Sequence, residues 1–154
     1  HLGDGSTLTV RDVLGLDLTG TDLVVLSACQ TALADMRNAP DELTGFPMAF
    51  LRAGAQAVVA TQWPVADVAS AVLLSRFYEL MRKGTPPAEA LRRAQRWLRR
   101  APAAEMDLVS WYRRAFGVPL PERHAKRIAY YQEHPEEKPF QRPYFWAGFQ
   151  CLSL

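Results

Sequence analysis

The pattern of this chain predicts an α/β domain built on parallel strands, and three observations carry that expectation. Two short apolar runs, residues 23–28 and 57–61, are continuous rather than alternating, as strands covered on both faces are. The stretch between them carries a helical pattern, which makes a right-handed βαβ crossover. At 154 residues and 49% hydrophobic composition, the chain has enough apolar surface for one sizeable core.

The elements follow in order. Gly3-Asp4-Gly5 is a turn signal, and residues 9–14 open a short helix with Thr9 as its N-cap. Thr19-Gly20-Thr21-Asp22 is a second turn before the strand at 23–28. Residues 33–43, with Pro40, read as a loop. A helix follows over 43–53, with Phe46, Phe50 and Leu51 as its apolar stripe, Pro47 in its first turn and Gly54 as its end. After the strand at 57–61, Trp63-Pro64 closes the unit.

Asp67 is the expected N-cap of a mostly buried helix from Val68 to about Arg82. Thr85 is the expected cap of the next, which begins at Pro86-Pro87 and runs to about Arg100. On that second helix Leu91, Ala94 and Leu98 face inward, and Arg92, Arg93, Arg96, Arg99 and Arg100 face out. From residue 101 to 142 the composition shifts to charge and proline, with helical patterns over 107–116 and 122–133 and a loop at 135–143. The aromatic run at 144–152 reads as a final strand.

Composition excludes several function classes. The net charge of +2 argues against a polyanion partner. No apolar run approaches the length of a membrane span. The opening residues lack the pattern of a secretory leader, so the expected location is the cytoplasm, with Cys29 and Cys151 as reduced thiols. The two cysteines and three scattered histidines show no metal-ligand spacing, and no glycine-rich phosphate loop follows either strand, so neither a metal nor a cofactor is expected.

The chemistry candidate is Cys29, at the carboxyl end of the first strand, where open α/β sheets place their sites. A cysteine there is either a small core residue or a nucleophile. To be a nucleophile it needs a base or a cation to make the thiolate, and backbone donors for the oxyanion. His124 and His134 lie in the polar region and read as surface residues; His1 is the first residue. The arginine face reads as a solvated helix side rather than a nucleic-acid surface, since no stacking aromatics are interleaved with it. Cys151 reads as core.

Ordered blocks then carry a resemblance. Val24-Val25-Leu26-Ser27-Ala28-Cys29-Gln30-Thr31-Ala32 is similar to the cysteine motif of the CHAT domain, a caspase-like, separase-related domain often attached to TPR repeats in bacteria. Gly45-Phe46-Pro47, Ala49-Phe50-Leu51-Arg52-Ala53-Gly54-Ala55 and Val58-Val59-Ala60-Thr61-Gln62-Trp63-Pro64-Val65 resemble the following blocks. Pro87-Ala88-Glu89-Ala90-Leu91 and Pro143-Tyr144-Phe145-Trp146-Ala147-Gly148-Phe149 resemble later ones.

The resemblance implies a caspase-like, mostly parallel sheet flanked by helices and a Cys-His dyad that cleaves peptide bonds. Cys29 takes the nucleophile's place, and its own N–H becomes one oxyanion donor. The family's histidine lies in a His-Gly pair on an earlier strand, and no such pair precedes Cys29 here. Residues 1–154 are therefore expected to be the C-terminal portion of a single CHAT domain lacking its first strands, with a variable helical insertion at about 101–142.

Asp35, Asp41 and Glu42, after the cysteine, are candidates to meet a basic substrate side chain. The expected partners are a protein or peptide substrate and TPR or other regulatory regions of the parent chain. The rival expectation is a non-catalytic, partner-binding module of the same fold.

Overall fold

The computed structural model describes residues 7–26 and 40–153, of which 40–44, 115 and 116 by backbone alone. They fall into two compact units, one of residues 1–64 with 148–154 and one of residues 65–147.

The first unit is an α/β layer. Helix α1 (Val10–Leu14) starts where the sequence predicts, through a reciprocal capping box. Thr9 Oγ1 accepts from the Asp12 N–H at 3.2 Å, and Asp12 Oδ2 accepts from the Thr9 N–H at 2.8 Å. This fixes the register that drives Val13, fully buried, into the core.

Strand β1 is Val24–Leu26, and the expected extension of this strand beyond Leu26 lies outside the described residues. Helix α2 (Pro40–Arg52) begins earlier than the sequence predicts, so residues 40–43 are helical rather than loop. Pro40 takes the first-turn position that suits a proline, and Pro47 lies inside the helix. An interior proline costs about 3 kcal/mol. Phe50 and Leu51, both buried, contribute about 1.5–3 kcal/mol each by leaving water, which offsets that loss.

Past α2 the chain turns back at Gly54, whose φ is +111°. A Cβ there would stand 2.8 Å from the Thr19 nitrogen. That close approach lets the Leu18 N–H donate to Ala53 O at 2.7 Å and the Gln56 N–H to Thr21 O at 2.9 Å.

Strand β2 (Ala57–Thr61) then runs parallel to β1, in the register Val24↔Val58 to Leu26↔Ala60. Strand β3 (Phe149–Ser153) pairs antiparallel with β2, from Thr61↔Phe149 to Ala57↔Ser153. The described sheet, ordered β1-β2-β3, thus joins one parallel pair to one antiparallel pair, in keeping with the expected α/β class. β2 has a strand on each side and is buried from Ala57 to Ala60; β1 is half-buried along its length. The core of the unit joins Val13, Ala49, Phe50, Leu51, Ala55 and Val58, with Phe46 and Leu152 against them.

The final strand starts at Phe149, not at residue 144. Residues Pro143–Phe145 form a 3₁₀ turn instead. The N–H groups of Phe145 and Trp146 donate to Arg142 O and Pro143 O, both at 3.1 Å, which withdraws them from any ladder.

The second unit is helical. Helix α3 (Asp67–Met81) has Asp67 as its first residue rather than its cap; Ala66 holds the cap position without a side-chain bond. The Asp67 carboxylate instead accepts from Arg123 at 3.1 Å. Helix α4 (Pro87–Arg100) has Pro86 at its cap, so Thr85 falls one residue outside and caps nothing. Its inward residues are as predicted: Leu91, Ala94 and Leu98 are buried, and all five arginines are exposed.

Helices α5 (Leu108–Phe116), capped by Asp107, and α6 (Glu122–Glu133) complete the unit. Phe77, Leu73, Val72 and Leu98 are its most deeply buried large side chains. The segment after α4 is pinned by backbone bonds from Ala103 N–H to Glu137 O at 2.8 Å and Ala104 N–H to Pro135 O at 2.9 Å. Among the described residues, no helix is long and apolar enough to cross a membrane.

Candidate functional site

The parallel pairing of β1 and β2 brings their carboxyl ends to one edge of the sheet. The antiparallel β3 begins at that same edge, because Phe149 is paired with Thr61. Three segments therefore meet there: the end of β1, which leads toward Cys29; Thr61-Gln62-Trp63 after β2; and Gly148-Phe149-Gln150. Cys29 itself and Asp35 lie outside the described residues. Asp41 and Glu42 are in the first turn of α2, where the backbone alone is described.

The described part of this rim is uncharged. The Gln62 N–H donates to Gly148 O at 2.8 Å, and Gln62 Nε2 donates to Gln150 Oε1 at 3.0 Å. Gly148 is required by the Trp63 indole, since a Cβ at residue 148 would meet Trp63 Cε2 at 2.8 Å and Nε1 at 3.0 Å. An exposed amide pair and a half-buried indole can hydrogen-bond and pack a peptide, but cannot attract one by charge. Sequence reasoning missed Gln62 and Gln150, because nothing in either segment signals their pairing until the β2–β3 register is known.

The candidate bases fall elsewhere. His124 and His134 both belong to the helical unit, and no described histidine belongs to the sheet unit. His124 accepts from Arg123 Nε at 3.2 Å, and its ring packs near Tyr112. Burial, then the Arg123 charge, hold its pKa below the ordinary histidine value. It lines a cavity of only about 30 Å³ with Val68, Ile128 and Phe140, enough for about one or two waters and no substrate. His134 stacks on Tyr130 at 4.2 Å, with Nδ1 2.9 Å from the Tyr130 carbonyl, and so terminates α6. Both are half-buried and have ring partners, rather than lying free on the surface as the sequence suggests.

Cys151 is a free thiol on β3, paired across to Val59 and half-buried. Burial raises its pKa, so it is a poorer nucleophile than an ordinary cysteine. No group of acidic, histidine or cysteine side chains that could hold a metal occurs among the described residues.

An α/β layer in which β1 and β2 share a carboxyl edge defines a class, and comparison with known proteins gives the family. The model of the CHAT domain family matches residues 1–153, and the chain belongs to that family, which is caspase-like and related to cysteine peptidases. The chain is also similar to tetratricopeptide repeat protein 28 of Mus musculus, 38% identical over 89 residues. That match covers 58% of this chain and 4% of the mouse protein. The Homo sapiens protein of the same name is 36% identical over 89 residues, with the same coverage. The matched stretch is thus a small part of those relatives. No solved structure matches the chain significantly.

Proposed function

We propose that this chain carries the nucleophile half of a cysteine-peptidase centre, with Cys29 as the nucleophile. The observation that supports it most is family membership over nearly the whole chain, joined to a β1 strand that ends at the shared carboxyl edge of the sheet. Cys29 follows Leu26, the last residue of β1, by three residues in the sequence.

In this reading the thiolate attacks the scissile carbonyl carbon and forms a C–S bond. The Cys29 N–H stabilises the oxyanion. The C–N bond then breaks as a histidine gives a proton to the leaving amine, and water hydrolyses the thioester. In this reading the histidine is that of the His-Gly pair which the family resemblance places before the cysteine, a pair that residues 1–154 do not contain. Residues 1–154 are then the C-terminal portion of one CHAT domain, and the helices at 108–116 and 122–133 form its variable insertion at about 101–142. Asp35, Asp41 and Glu42 offer carboxylates for a basic substrate side chain.

The names of the relatives support an association of the domain with TPR regions of a parent protein. The test is a fluorogenic peptide panel on the intact parent and on its Cys29→Ala form. Loss of turnover by about 10⁴-fold or more is expected. Equal turnover by both proteins removes Cys29 from the mechanism.

A second reading, a non-catalytic partner-binding module, is favoured by the absence of a described histidine from the sheet unit. A parent sequence with no His-Gly pair upstream of Cys29, and no turnover on the panel, selects it.

A further inference from the structure

The net charge of +2 is an average of two unlike halves. Residues 65–147 hold 15 Lys and Arg against 9 Asp and Glu, a net of +6. The sheet unit, residues 1–64 and 148–154, holds 3 against 7, a net of −4. Twelve of the 15 basic residues in the helical unit are arginine, whose planar fork suits phosphate and stacks on rings.

Five of these arginines lie on α4. At about 100° per residue, Arg92, Arg93, Arg96, Arg99 and Arg100 occupy one sector of about 120°, with Arg96 near its middle. Among the described residues, Arg92 alone of the five has an ion pair, with Glu89 at 2.5 Å. Arg99 lies over the Trp146 ring, and Arg93, Arg96 and Arg100 make no ion pair among the described residues.

The reading of an arginine face without aromatics does not hold, for Trp97 lies within the run itself and the fold brings Trp146 beside it. Trp97 borders the sector on one side. Trp146 borders the other, its carbonyl accepting from Gln95 at 2.9 Å and its ring 5.7 Å from the Arg99 guanidinium. Both indoles are half-buried. Beside Trp97 a surface cleft of about 270 Å³ opens between Arg96, Arg100, Ala101 and Glu105. Trp97 Nε1 donates to Glu105 Oε2 at 3.2 Å, so this carboxylate is held as an acceptor in the cleft wall.

The geometry points to the outer face of α4 as a binding surface for single-stranded nucleic acid. The backbone phosphates lie along the arginine sector, and bases turn toward the bordering tryptophans. From Arg92 to Arg100 the helix rises about 12 Å, room for about three phosphates. Glu105 decides between the two polyanions that could fit. An acidic peptide brings a carboxylate against it, whereas a base brings an amino group that it can accept.

The test uses the full 154-residue chain, fluorescence anisotropy and labelled 12-mer oligocytidine and oligouridine, with an oligoglutamate peptide of the same charge as competitor. Binding is expected to weaken with salt at a log–log slope of about −2, for about three phosphates at about 0.7 each. Joint Arg93→Glu, Arg96→Glu and Arg100→Glu is expected to lower affinity at least tenfold. The same reversal at the exposed pair Arg113 and Arg114 changes it less than threefold. Oligocytidine quenches tryptophan emission, less so in Trp97→Phe, and Glu105→Gln reduces the preference for oligocytidine over oligouridine. Unchanged affinity after the triple reversal overturns the proposal. So does equal competition by oligoglutamate, which makes the face a dock for acidic protein.

Discussion

The two units are held together by different means. In the sheet unit the decisive contacts are backbone on backbone: the β2 ladders, the Leu18–Ala53 and Thr21–Gln56 bonds, and the glycine contact that lets them form. In the helical unit they are apolar side chains, with Phe77, Leu73 and Leu98 enclosed between α3, α4 and their neighbours. Charge divides the same way, −4 against +6. A sheet rim bound by ladders on both sides of its central strand keeps its backbone fixed. A helical surface can vary its exposed face freely while its buried stripe stays constant.

The strongest way to break this comparison is to cut into the helical core. Phe77→Ala removes a fully buried ring and is expected to cost about 3–5 kcal/mol. If the units are separate in energy, hydrogen exchange rises steeply in the amides of α3 and α4 and much less in β2. An equal rise in both makes the molecule one cooperative block, and the comparison fails.

The reciprocal change acts on the backbone. Gly54→Ala forces a side chain into positive φ and against the Thr19 nitrogen. It is expected to cost about 2–3 kcal/mol, read by denaturant unfolding, with the exchange increase confined to α2, β2 and the turn at 18–21. A loss under about 0.5 kcal/mol shows that the turn relaxes without strain, and that the sheet unit does not depend on this close approach.

Much of this arrangement was legible in the sequence where the signal is local. Thr9 and Asp12 form the capping box that their spacing allows. The period of Leu91, Ala94 and Leu98 sets the buried stripe of α4. The continuous run at 57–61 is a buried strand. Where the sequence misled, a distant partner or a neighbour in the chain had priority. Asp67 looked like a cap but is claimed by Arg123, 56 residues away. Thr85 looked like a cap but Pro86 stands between it and the helix.

The aromatic run after Pro143 has strand propensity. Yet Phe145 packs on Phe140 with ring centroids 5.4 Å apart, and the Trp146 indole donates to Gln141 O at 3.4 Å, so the chain turns before it pairs. At the candidate site the strand at Val24–Leu26 and its parallel neighbour were legible. The Gln62–Gln150 pair was not, because register between strands far apart in sequence is a tertiary fact.

The smallest expected effect tests whether the helical unit, too, depends on any single polar contact. The Asp107 carboxylate accepts from the Ser110 N–H at 3.0 Å at the start of α5. Hydrogen bonding from the Ser110 side chain, and then from its N–H, lowers its pKa below the ordinary carboxylate value. A group whose folded pKa lies below its unfolded one stabilises fully above the unfolded pKa and loses that contribution as pH falls through the folded value. Asp107→Ala is expected to cost about 1 kcal/mol near neutral pH, as other N-cap losses do. The difference between the two proteins should shrink as pH drops below the ordinary carboxylate range, whereas the Phe77→Ala deficit, which involves no titrating group, persists. Parallel urea titrations across that range read both. A deficit for Asp107→Ala that does not shrink in acid assigns its effect to helix propensity rather than to the cap.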